Sequence, residues 1–327
     1  MKDKVTTNRI RVEIVKALKN GEFVSGENLA NALSLSRSAI SNHVKALCAL
    51  GLDVFSVKGR GYCLPQPISM LEKSEITTIL NSSSANEYIQ VHNIVTSTND
   101  IIKQRLSELQ NGAVCVAEAQ TAGRGRRGRQ WVSPFGASVY MTMLWRFESG
   151  YQSMAGLSLL VGIAVNRTIA SMGYTGCQLK WPNDVYANNK KLCGILIEVE
   201  GQVGASTDAI IGIGINVNLP TCIDKIDQPY IDLSQVLGQS VDRNLVTATL
   251  IQHLWDMLPI FESEGLIPFL SEWEIADLYY MKAIVLQSGK QQVQGICRGI
   301  DKSGALLMEV NGQVRAFHGG EISVRQC

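Results

Sequence analysis

Seven consecutive residues, Gly123 to Arg129, contain three glycines and four arginines and follow an apolar, strand-like run, Ala113 to Ala119. Glycine lets the backbone adopt positive φ and approach another group closely. Arginine presents a planar fork of donors that fits phosphate and carboxylate oxygens. A segment this charged cannot be part of a core. It predicts either a mobile loop that closes over an anionic ligand or a solvated basic loop with no ligand.

The same residues match the G-x-G-x-x-G spacing of dinucleotide-binding folds, but the residues after them exclude that fold. The fingerprint needs a helix that begins at its third glycine, so that pyrophosphate lies on the helix N-terminus. Here Gly128 is followed by Pro134 and Gly136, and the intervening residues have no helical period. The P-loop pattern G-x-x-x-x-G-K-[ST] does not occur either.

Length and composition indicate a globular protein of two or three domains. The chain has 327 residues, a hydrophobic fraction of 46% and a mean hydropathy of +0.07. It has no run of about 18 apolar residues and no apolar signal-peptide region, so we expect no membrane span and a cytoplasmic location. The eight cysteines have no C-x-x-C spacing, which favours buried or incidental thiols.

Charge is divided unevenly along the chain. Residues 1–64 contain ten Lys and Arg against five Asp and Glu, a net charge of +5, and the remainder has 20 against 24, a net charge of −4. A basic N-terminal module on a mildly acidic body predicts that this module binds a polyanion.

The N-terminal module has the pattern of a winged helix-turn-helix. Apolar residues recur at helical spacing over residues 9–19, 27–33 and 39–50, with Ser25 and Ser36 placed as N-caps of the second and third helices. Two short β runs around a glycine-rich tip follow, and Lys58 and Arg60 of this wing are placed to contact phosphate. The alternative is a dimerisation or protein-interaction module. Within the helix-turn-helix proper, Gly26–Lys45, the side chains predicted to face a major groove are Arg37, Ser38, Ser41, Asn42, His43 and Lys45.

The rest of the chain predicts two further domains. Pro65-Gln66-Pro67 indicates a stiff linker. Residues 68–270 alternate between helical and strand patterns, with strands expected over 140–145, 178–181, 192–200 and 209–217 and a buried helix over 153–172, which favours a mixed sheet. The C-terminal residues 283–324 are rich in β-formers, with turns at Ser288-Gly289, Ser303-Gly304, Asn311-Gly312 and Gly319-Gly320, and predict a small SH3-like barrel.

Three more polar segments have plain structural explanations when each is taken alone. Ser97, Thr98 and Asn99 precede a helix and can be its N-cap. Lys180 and Asp184 flank a turn and can form a surface ion pair, and Lys190 and Lys191 can be solvated turn lysines. Gly212 and Gly214 inside a strand indicate close approach of a ligand or another backbone.

The four segments GRGRRGR, KWPND, KLCGILIE and GIGINVN, in this order and spacing, resemble those of the biotin protein ligases. With its additional terminal segments, the chain is similar over essentially its whole length to the bifunctional bacterial ligases that also repress the biotin operon. The resemblance implies an α+β multidomain fold. It comprises a winged helix-turn-helix (1–66), a central mixed α/β ligase domain of the class II synthetase and biotin ligase type (67–275), and an SH3-like β-barrel (276–327).

The resemblance also implies the activity. Biotin and ATP, with Mg²⁺, give biotinyl-5′-adenylate, and a lysine of the biotin carboxyl carrier protein of acetyl-CoA carboxylase then receives the biotin. The adenylate-bound homodimer binds double-stranded operator DNA as a repressor. Two alternatives stay open: a ligand-sensing repressor without catalysis, and a lipoate ligase of related fold.

Site residues follow from the resemblance position by position. Lys191 and Arg126 are expected to be catalytic, and Asp184 to orient the acceptor lysine or to help hold Mg²⁺, with no metal site made by protein alone. Tyr230 stands where relatives have a tryptophan over adenine, in a stretch one residue shorter. The biotin-binding residues are Ser97, Thr98, Asn99, Gln120, Arg124, Gly125, Arg126, Lys191 and Gly194. The adenylate-binding residues are Arg124, Arg126, Arg127, Arg129, Trp131, Asn183, Asn216 and Tyr230.

Overall fold

A computed structural model describes residues 2–65, 67–82, 84–201, 206–220, 226–288, 291–319 and 322–326. Gln66 of the predicted linker, and Gly289 and Gly320 of the predicted turns, lie outside the described residues. The helices are α1 (Lys2–Leu18), α2 (Gly26–Leu33), α3 (Arg37–Ala49), α4 (Lys73–Ile79), α5 (Ala85–Tyr88), α6 (Thr98–Lys103), α7 (Leu157–Ser171), α8 (Leu233–Leu237), α9 (Arg243–Glu264) and α10 (Leu270–Ala276). The strands are β1 (Phe55–Val57), β2 (Gly61–Cys63), β3 (Ile89–Val95), β4 (Val114–Gln120), β5 (Ser138–Phe147), β6 (Gln178–Lys180), β7 (Asp184–Ala187), β8 (Lys190–Gly201), β9 (Thr207–Asn216), β10 (Ala283–Ser288), β11 (Gln291–Ile300), β12 (Leu306–Val310), β13 (Gln313–Phe317) and β14 (Ile322–Gln326).

The N-terminal part is a winged helix-turn-helix whose helices begin at the predicted caps. Ser25 Oγ accepts a hydrogen bond from the Asn28 N–H at 3.0 Å, and Ser36 Oγ accepts one from the Ala39 N–H at 3.2 Å. The first helix, α1, begins well before the predicted residue 9. Strands β1 and β2 pair antiparallel and form the predicted wing.

The central part is a seven-stranded sheet in the order β3-β4-β5-β9-β8-β7-β6, in which β3 and β4 are parallel and the other neighbours antiparallel. Strands β5, β8 and β9 are longer than the sequence predicts. Strands β5 and β9 pair without interruption from Ser138↔Asn216 to Phe147↔Thr207, and β8 pairs with β9 from Cys193↔Ile215 to Gly201↔Thr207. Helices α7 and α9 pack on one face. Helix α6 covers the other face, where Ile102 meets Leu144 and Ile210.

Helix α7 forms the middle of the core. Ten of its residues, from Leu157 to Ile169, are buried. By length and composition alone, the stretch Tyr151–Ser171 would suffice to cross a membrane, the one such stretch among the described residues. Most of it is buried inside the fold, as in the core helix of a globular domain.

The C-terminal part is a five-stranded antiparallel sheet in the order β13-β12-β11-β10-β14. Asn311 and Gly312 have φ of 53° and 77° and join β12 to β13 as the predicted hairpin turn. The sheet is fixed beside the KWPND segment, because Trp181 Nε1 donates to the Gly304 carbonyl at 3.0 Å. These three parts confirm the predicted α+β multidomain fold.

The segment between the arginine loop and β5 contacts the N-terminal part. The Phe135 N–H donates to the Leu50 carbonyl at 3.0 Å, and the Phe135 ring is 2% exposed. It packs in one hydrophobic cluster with Leu47, Leu52 and Leu64 of the winged domain. The chain that leaves the loop Gly123–Arg129 is therefore anchored on the winged helix-turn-helix.

Candidate active site

Most of the predicted binding residues come together in one cleft. Thr98 and Asn99 begin α6, Gln120 ends β4, Lys191 and Gly194 lie on β8, and the described residues around them line an inner cavity of about 60 Å³. This volume holds only a few water molecules. A ring system can therefore enter only if a lining side chain moves.

The arginine loop is a closed hairpin over this cleft. The Gly125 N–H donates to the Arg129 carbonyl at 2.7 Å, and the Trp131 N–H donates to the Gly123 carbonyl at 2.9 Å. Arg127 at its tip has a positive φ of 59°. The loop is thus folded on itself, with its arginine side chains directed to different surroundings.

Arg126 is the loop arginine that reaches into the cleft. Its Nη1 donates to Asn183 Oδ1 at 2.7 Å, and Asn183 Nδ2 donates to the Ile195 carbonyl at 2.8 Å. Burial lowers the pKa of Arg126, and the nearby charge of Asp184 acts in the opposite direction. An arginine stays charged through such a shift, so Arg126 supplies a half-buried positive charge beside Asn183.

Arg124 is the loop arginine that two carboxylates of the cleft hold in place. It lines the inner cavity, but its Nη2 donates to Asp100 Oδ1 at 2.7 Å and to Glu198 Oε2 at 3.1 Å. The hydrogen bond to Asp100 is the main cause of a raised pKa of Arg124. Its positive charge is therefore engaged by two carboxylates.

Hydrogen bonds hold Asn99 in the polar floor of the inner cavity. Asn99 Nδ2 donates to Glu198 Oε2 at 2.7 Å, and Thr142 Oγ1 donates to Asn99 Oδ1 at 2.6 Å. Thr142 Oγ1 also lies 2.7 Å from Thr98 Oγ1. Ser97 is the N-cap residue of α6 as the sequence predicts, but its side chain makes no capping hydrogen bond.

The floor continues to the far end of the loop through Gln120. Its Oε1 accepts from the Thr98 N–H at 2.9 Å, and its Nε2 donates to Ser133 Oγ at 3.1 Å. Ser133 Oγ in turn donates to the Trp131 carbonyl at 3.0 Å. Gln120 thus links Thr98 and the end of β4 to the segment that follows the arginine loop.

Trp131 covers the glycines that the sequence assigned to ligand approach. A Cβ atom on Gly214 would lie 2.6 Å from the indole, and one on Gly194 would lie 2.8 Å from it. A larger residue is also excluded at position 212, because a Cβ atom there would lie 2.5 Å from Asn99 Oδ1. These glycines make room for side chains of the cleft itself. Trp131 Nε1 is buried and has no hydrogen-bond partner among the described residues.

Lys191 and Asp184 form a half-buried ion pair. Lys191 Nζ lies 2.8 Å from Asp184 Oδ1, with the two side chains 13% and 16% exposed. This excludes the surface pair between Lys180 and Asp184 and the solvated state of Lys191. Asp184 Oδ1 has no aligned hydrogen bond from the described residues. The pair is thus ionic, and this oxygen can still accept a proton donor or a cation.

A larger cavity, about 720 Å³, opens outward from Lys191. Lys180 Nζ lies on its wall, donates to Tyr186 Oη at 3.2 Å, and has its pKa lowered chiefly by burial. Neither Tyr186 nor Arg325 was predicted as a site residue, and Arg325 comes from the C-terminal sheet. The remaining cationic side chains of this wall are Arg126, Arg127, Arg129 and Lys191.

Asn216 and Tyr230 frame the backbone of Lys191. The Lys191 N–H donates to the Pro229 carbonyl at 3.0 Å, and the Ile231 N–H donates to the Lys191 carbonyl at 3.0 Å. Asn216 Nδ2 donates to the Ile231 carbonyl at 3.1 Å. Tyr230 and Asn216 both line the outer cavity, but the buried Asn216 amide holds the protein backbone.

The predicted DNA-binding surface lies on α3 and the wing. Arg37, Ser38, Asn42 and Lys45 are exposed, while Ser41 and His43 are half-buried and burial lowers the pKa of His43. Lys58 is exposed, and the Arg60 guanidinium lies 4.0 Å from the centre of the Phe23 ring. The helix therefore presents the expected polar face to solvent.

Clusters of metal-ligating side chains and the state of the cysteines bear on other chemistries of the cleft. Within the described ranges no group of three or more His, Cys, Asp or Glu side chains is placed to hold a metal ion. The cysteines buried as free thiols are Cys63, Cys115, Cys177, Cys193 and Cys297. Burial is the main cause of a raised pKa of the Cys193 thiol, which makes it a poor nucleophile.

Comparison with known protein families divides the chain in three. Residues 91–216 match the biotin/lipoate A/B protein ligase family, residues 11–63 match an HTH domain, and residues 282–325 match the biotin protein ligase C-terminal domain. A solved structure of biotin protein ligase from Aquifex aeolicus in complex with biotin and ATP superposes with a TM-score of 0.66. It is 28% identical, and the match covers 73% of this chain and 99% of that one.

Two similar relatives match the chain over nearly their full length. The chain is 42% identical over 321 residues to the bifunctional ligase/repressor BirA of Escherichia coli, with 98% of each chain covered. It is 32% identical to the bifunctional ligase/repressor BirA of Bacillus subtilis, covering 93% of this chain and 94% of that one. The chain therefore belongs to the biotin/lipoate A/B protein ligase family, among its bifunctional ligase/repressors, and the resemblance seen in the sequence is confirmed.

Proposed function

We propose that this chain is an ATP-dependent biotin protein ligase whose adenylate-bound form represses the biotin biosynthesis operon. The observation that carries the proposal is one cleft in which a small polar inner cavity meets, at Lys191, a larger cavity lined by lysines and arginines. Such a cleft fits a neutral ring system at one end and a polyphosphate at the other. The protein acts in the cytoplasm on biotin, ATP and a biotin carboxyl carrier protein.

The inner cavity suits the ureido ring of biotin, which has two N–H donors and one carbonyl acceptor. Ser97, Thr98, Asn99 and Gln120 supply hydroxyl and amide groups of both kinds and are at least half-buried. Backbone of Gly125 and Gly194 completes the wall. Because Trp131 fills the space above Gly194 and Gly214, its indole must move when the ring enters.

In the first step, a carboxylate oxygen of biotin attacks the α-phosphorus of ATP, and the bond to pyrophosphate breaks as the new P–O bond forms. Carboxylate and triphosphate repel each other, so the site must hold fixed positive charge where negative charge accumulates. Lys191 and Arg126 lie where the two cavities meet and are assigned this role. Arg127 and Arg129 at the mouth bind the adenylate phosphate, and Tyr230 stacks on adenine.

In the second step, the amine of the carrier lysine attacks the carbonyl carbon of the mixed anhydride. A C–N bond forms, the C–O bond to AMP breaks, and the amine loses a proton. The buried Asp184 Oδ1 fits two partners: the incoming ammonium group, or the Mg²⁺ that accompanies ATP and prefers carboxylate oxygens. In Asp184→Asn, loss of transfer alone assigns the first role, and a changed Mg²⁺ dependence of adenylation assigns the second.

Repression requires the adenylate to change how two chains associate. The basic winged module and the anionic-ligand cleft lie in one molecule and touch through Phe135. We propose that the adenylate favours a homodimer with two-fold symmetry, which sets two α3 helices and two wings on a palindromic operator.

The ligase assignment is tested by biotin-dependent exchange between pyrophosphate and ATP. Lys191→Ala should lower the exchange rate by about 10²–10³, the usual effect of removing one group that stabilises developing charge. Lys190→Ala, which changes the exposed neighbouring lysine, is the matched control and should behave as the parent chain. Exchange that starts with lipoate and not with biotin would instead make this a lipoate ligase, and no exchange with either acid would leave a ligand sensor.

A further inference from the structure

Three charged side chains outside the catalytic pair join the base of the arginine loop to the rest of the cleft. Arg124 Nη2 lies 2.7 Å from Asp100 Oδ1 on α6 and 3.1 Å from Glu198 Oε2 on β8. We call this group, Asp100, Arg124 and Glu198, the Arg124 clip. Each of its side chains is only 27–38% exposed.

The Arg124 clip holds the base of the arginine loop, where the chain enters and leaves the hairpin. Arg124 pairs with Gln130 as the backbone bridge that closes the hairpin. Fixing the Arg124 side chain therefore fixes the stem of the hairpin against α6, which carries Thr98 and Asn99, and against β8, which carries Lys191. A single guanidinium here holds together three separate elements of the site.

Glu198 has a second partner inside the cleft. Its Oε2 also accepts from Asn99 Nδ2 at 2.7 Å, so the carboxylate orients the amide of a residue assigned to the biotin pocket. Without the cation, Asp100 and Glu198 would leave two negative charges close to each other. The loop stem and the pocket floor are thus held by the same carboxylate.

Resting on the proposed ligase function, we propose that Asp100 and Glu198 are positioning residues which, through Arg124, keep the arginine loop closed over bound biotin and biotinyl-adenylate. They touch neither substrate. Their effect is on the rate at which the adenylate escapes and on the affinity for biotin, since both depend on a closed hairpin. Binding of ATP, which enters by the outer cavity, does not depend on them.

A second ion pair between α6 and β8 provides a matched control for the Arg124 clip. Lys103, one turn after Asp100 on α6, pairs with Glu200, two residues after Glu198 on the same face of β8. This pair joins the same helix and strand but does not touch the loop. Glu200→Gln therefore removes one carboxylate charge and one ion pair from the same surface and keeps all three side chains of the clip.

The test measures release of preformed adenylate from the full chain after it has been loaded with biotin and Mg-ATP and freed of excess ligand. Asp100→Asn and Glu198→Gln should each raise the release rate about three- to tenfold, the range for a lost, partly screened charged hydrogen bond. They should also raise the KM for biotin and leave the KM for ATP unchanged. Glu200→Gln should match the parent chain in all three quantities.

A double-variant cycle decides whether the carboxylates act through Arg124. In an Arg124→Ala background, Asp100→Asn should cause no further increase in release. Equal release from Asp100→Asn and Glu200→Gln, or a full Asp100→Asn effect without Arg124, overturns the proposal. A parent chain that forms no adenylate at all would refute the ligase function instead, so the two failures are distinguishable.

Discussion

The Trp131 indole packs directly on Gly214, and this contact determines how much space the inner cavity has. The indole lies where a side chain at residue 214 would begin, with 2.6 Å to a built Cβ atom. A tryptophan in this position is both a wall of the cavity and the group that has to move for a ligand. The same contact explains why a glycine stands at position 214, near the end of β9.

Gly214→Ala should push the indole away from the sheet and disorder the inner cavity. Overpacking of this kind typically costs about 1–3 kcal/mol, so we expect the KM for biotin in the exchange assay to rise about tenfold or more. Combining it with Trp131→Phe, which has a smaller ring, should recover part of the loss. An unchanged KM in Gly214→Ala would mean that Trp131 does not rest on β9 in solution.

At the scale of single residues, local sequence signals predicted some side-chain contacts and missed others. The caps at Ser25 and Ser36 were predictable because each side chain bonds a backbone N–H three residues later. The engagement of Arg124 by Glu198 was not, because the partners are 74 residues apart and only the folded sheet brings them together. Glu198 did carry a signal, as the one acidic residue at the end of the mostly apolar KLCGILIE segment.

At the scale of elements, a buried ion pair ties the chain after the linker to the sheet. Arg243 at the start of α9 and Glu118 on β4 are 1% and 0% exposed and lie 2.7 Å apart. Glu118 Oε1 also accepts from the Leu71 N–H at 2.6 Å, and Arg243 Nη2 donates to the Ser69 carbonyl at 2.6 Å. The segment leading out of the winged domain is thereby fixed to the central sheet.

Glu118→Gln should destabilise the chain strongly, because it leaves the Arg243 guanidinium buried without a counter-charge. Removing one partner of a buried pair costs about 3–5 kcal/mol, measurable as a loss of unfolding free energy in urea. Glu13→Gln, which removes the partner of the exposed Lys16, is the control and should change stability by less than about 0.5 kcal/mol. A similar small change in Glu118→Gln would contradict the role of the pair.

The element types were largely predictable, and their lengths less so. The turn residues Asn311-Gly312 correctly predicted a hairpin, and the strand patterns over 192–200 and 209–217 correctly predicted β8 and β9. Strand β5 runs on to Ser138 and Phe147 because a full-length neighbour, β9, pairs with it. That pairing is a property of the assembled sheet, which a local pattern does not contain.

At the scale of the whole molecule, Phe135 connects the segment after the arginine loop to the winged domain. Its ring lies in the core of the winged domain, and its backbone follows directly on the loop that covers the cleft. We propose that a change in the loop on ligand binding is transmitted through this contact to the winged domain. One ligand would then influence both catalysis and DNA binding.

If the adenylate is also the corepressor, biotin with Mg-ATP should shift the chain from monomer to dimer in sedimentation velocity. Binding of the adenylate beneath the loop is expected to complete a two-fold interface, which biotin alone or ATP alone should complete less well. The same sedimentation profile with and without both substrates would separate catalysis from repression in this protein.

The central claim is that one cleft activates biotin and delivers it to a carrier lysine. The most direct test incubates the full chain with biotin, Mg-ATP and a purified biotin carboxyl carrier domain, and follows the mass of the carrier. We expect the carrier to gain the mass of one biotinyl group on its acceptor lysine and to gain nothing when ATP is omitted. An unmodified carrier, with biotin still bound to the chain, would contradict the account and the catalytic roles of Lys191 and Asp184.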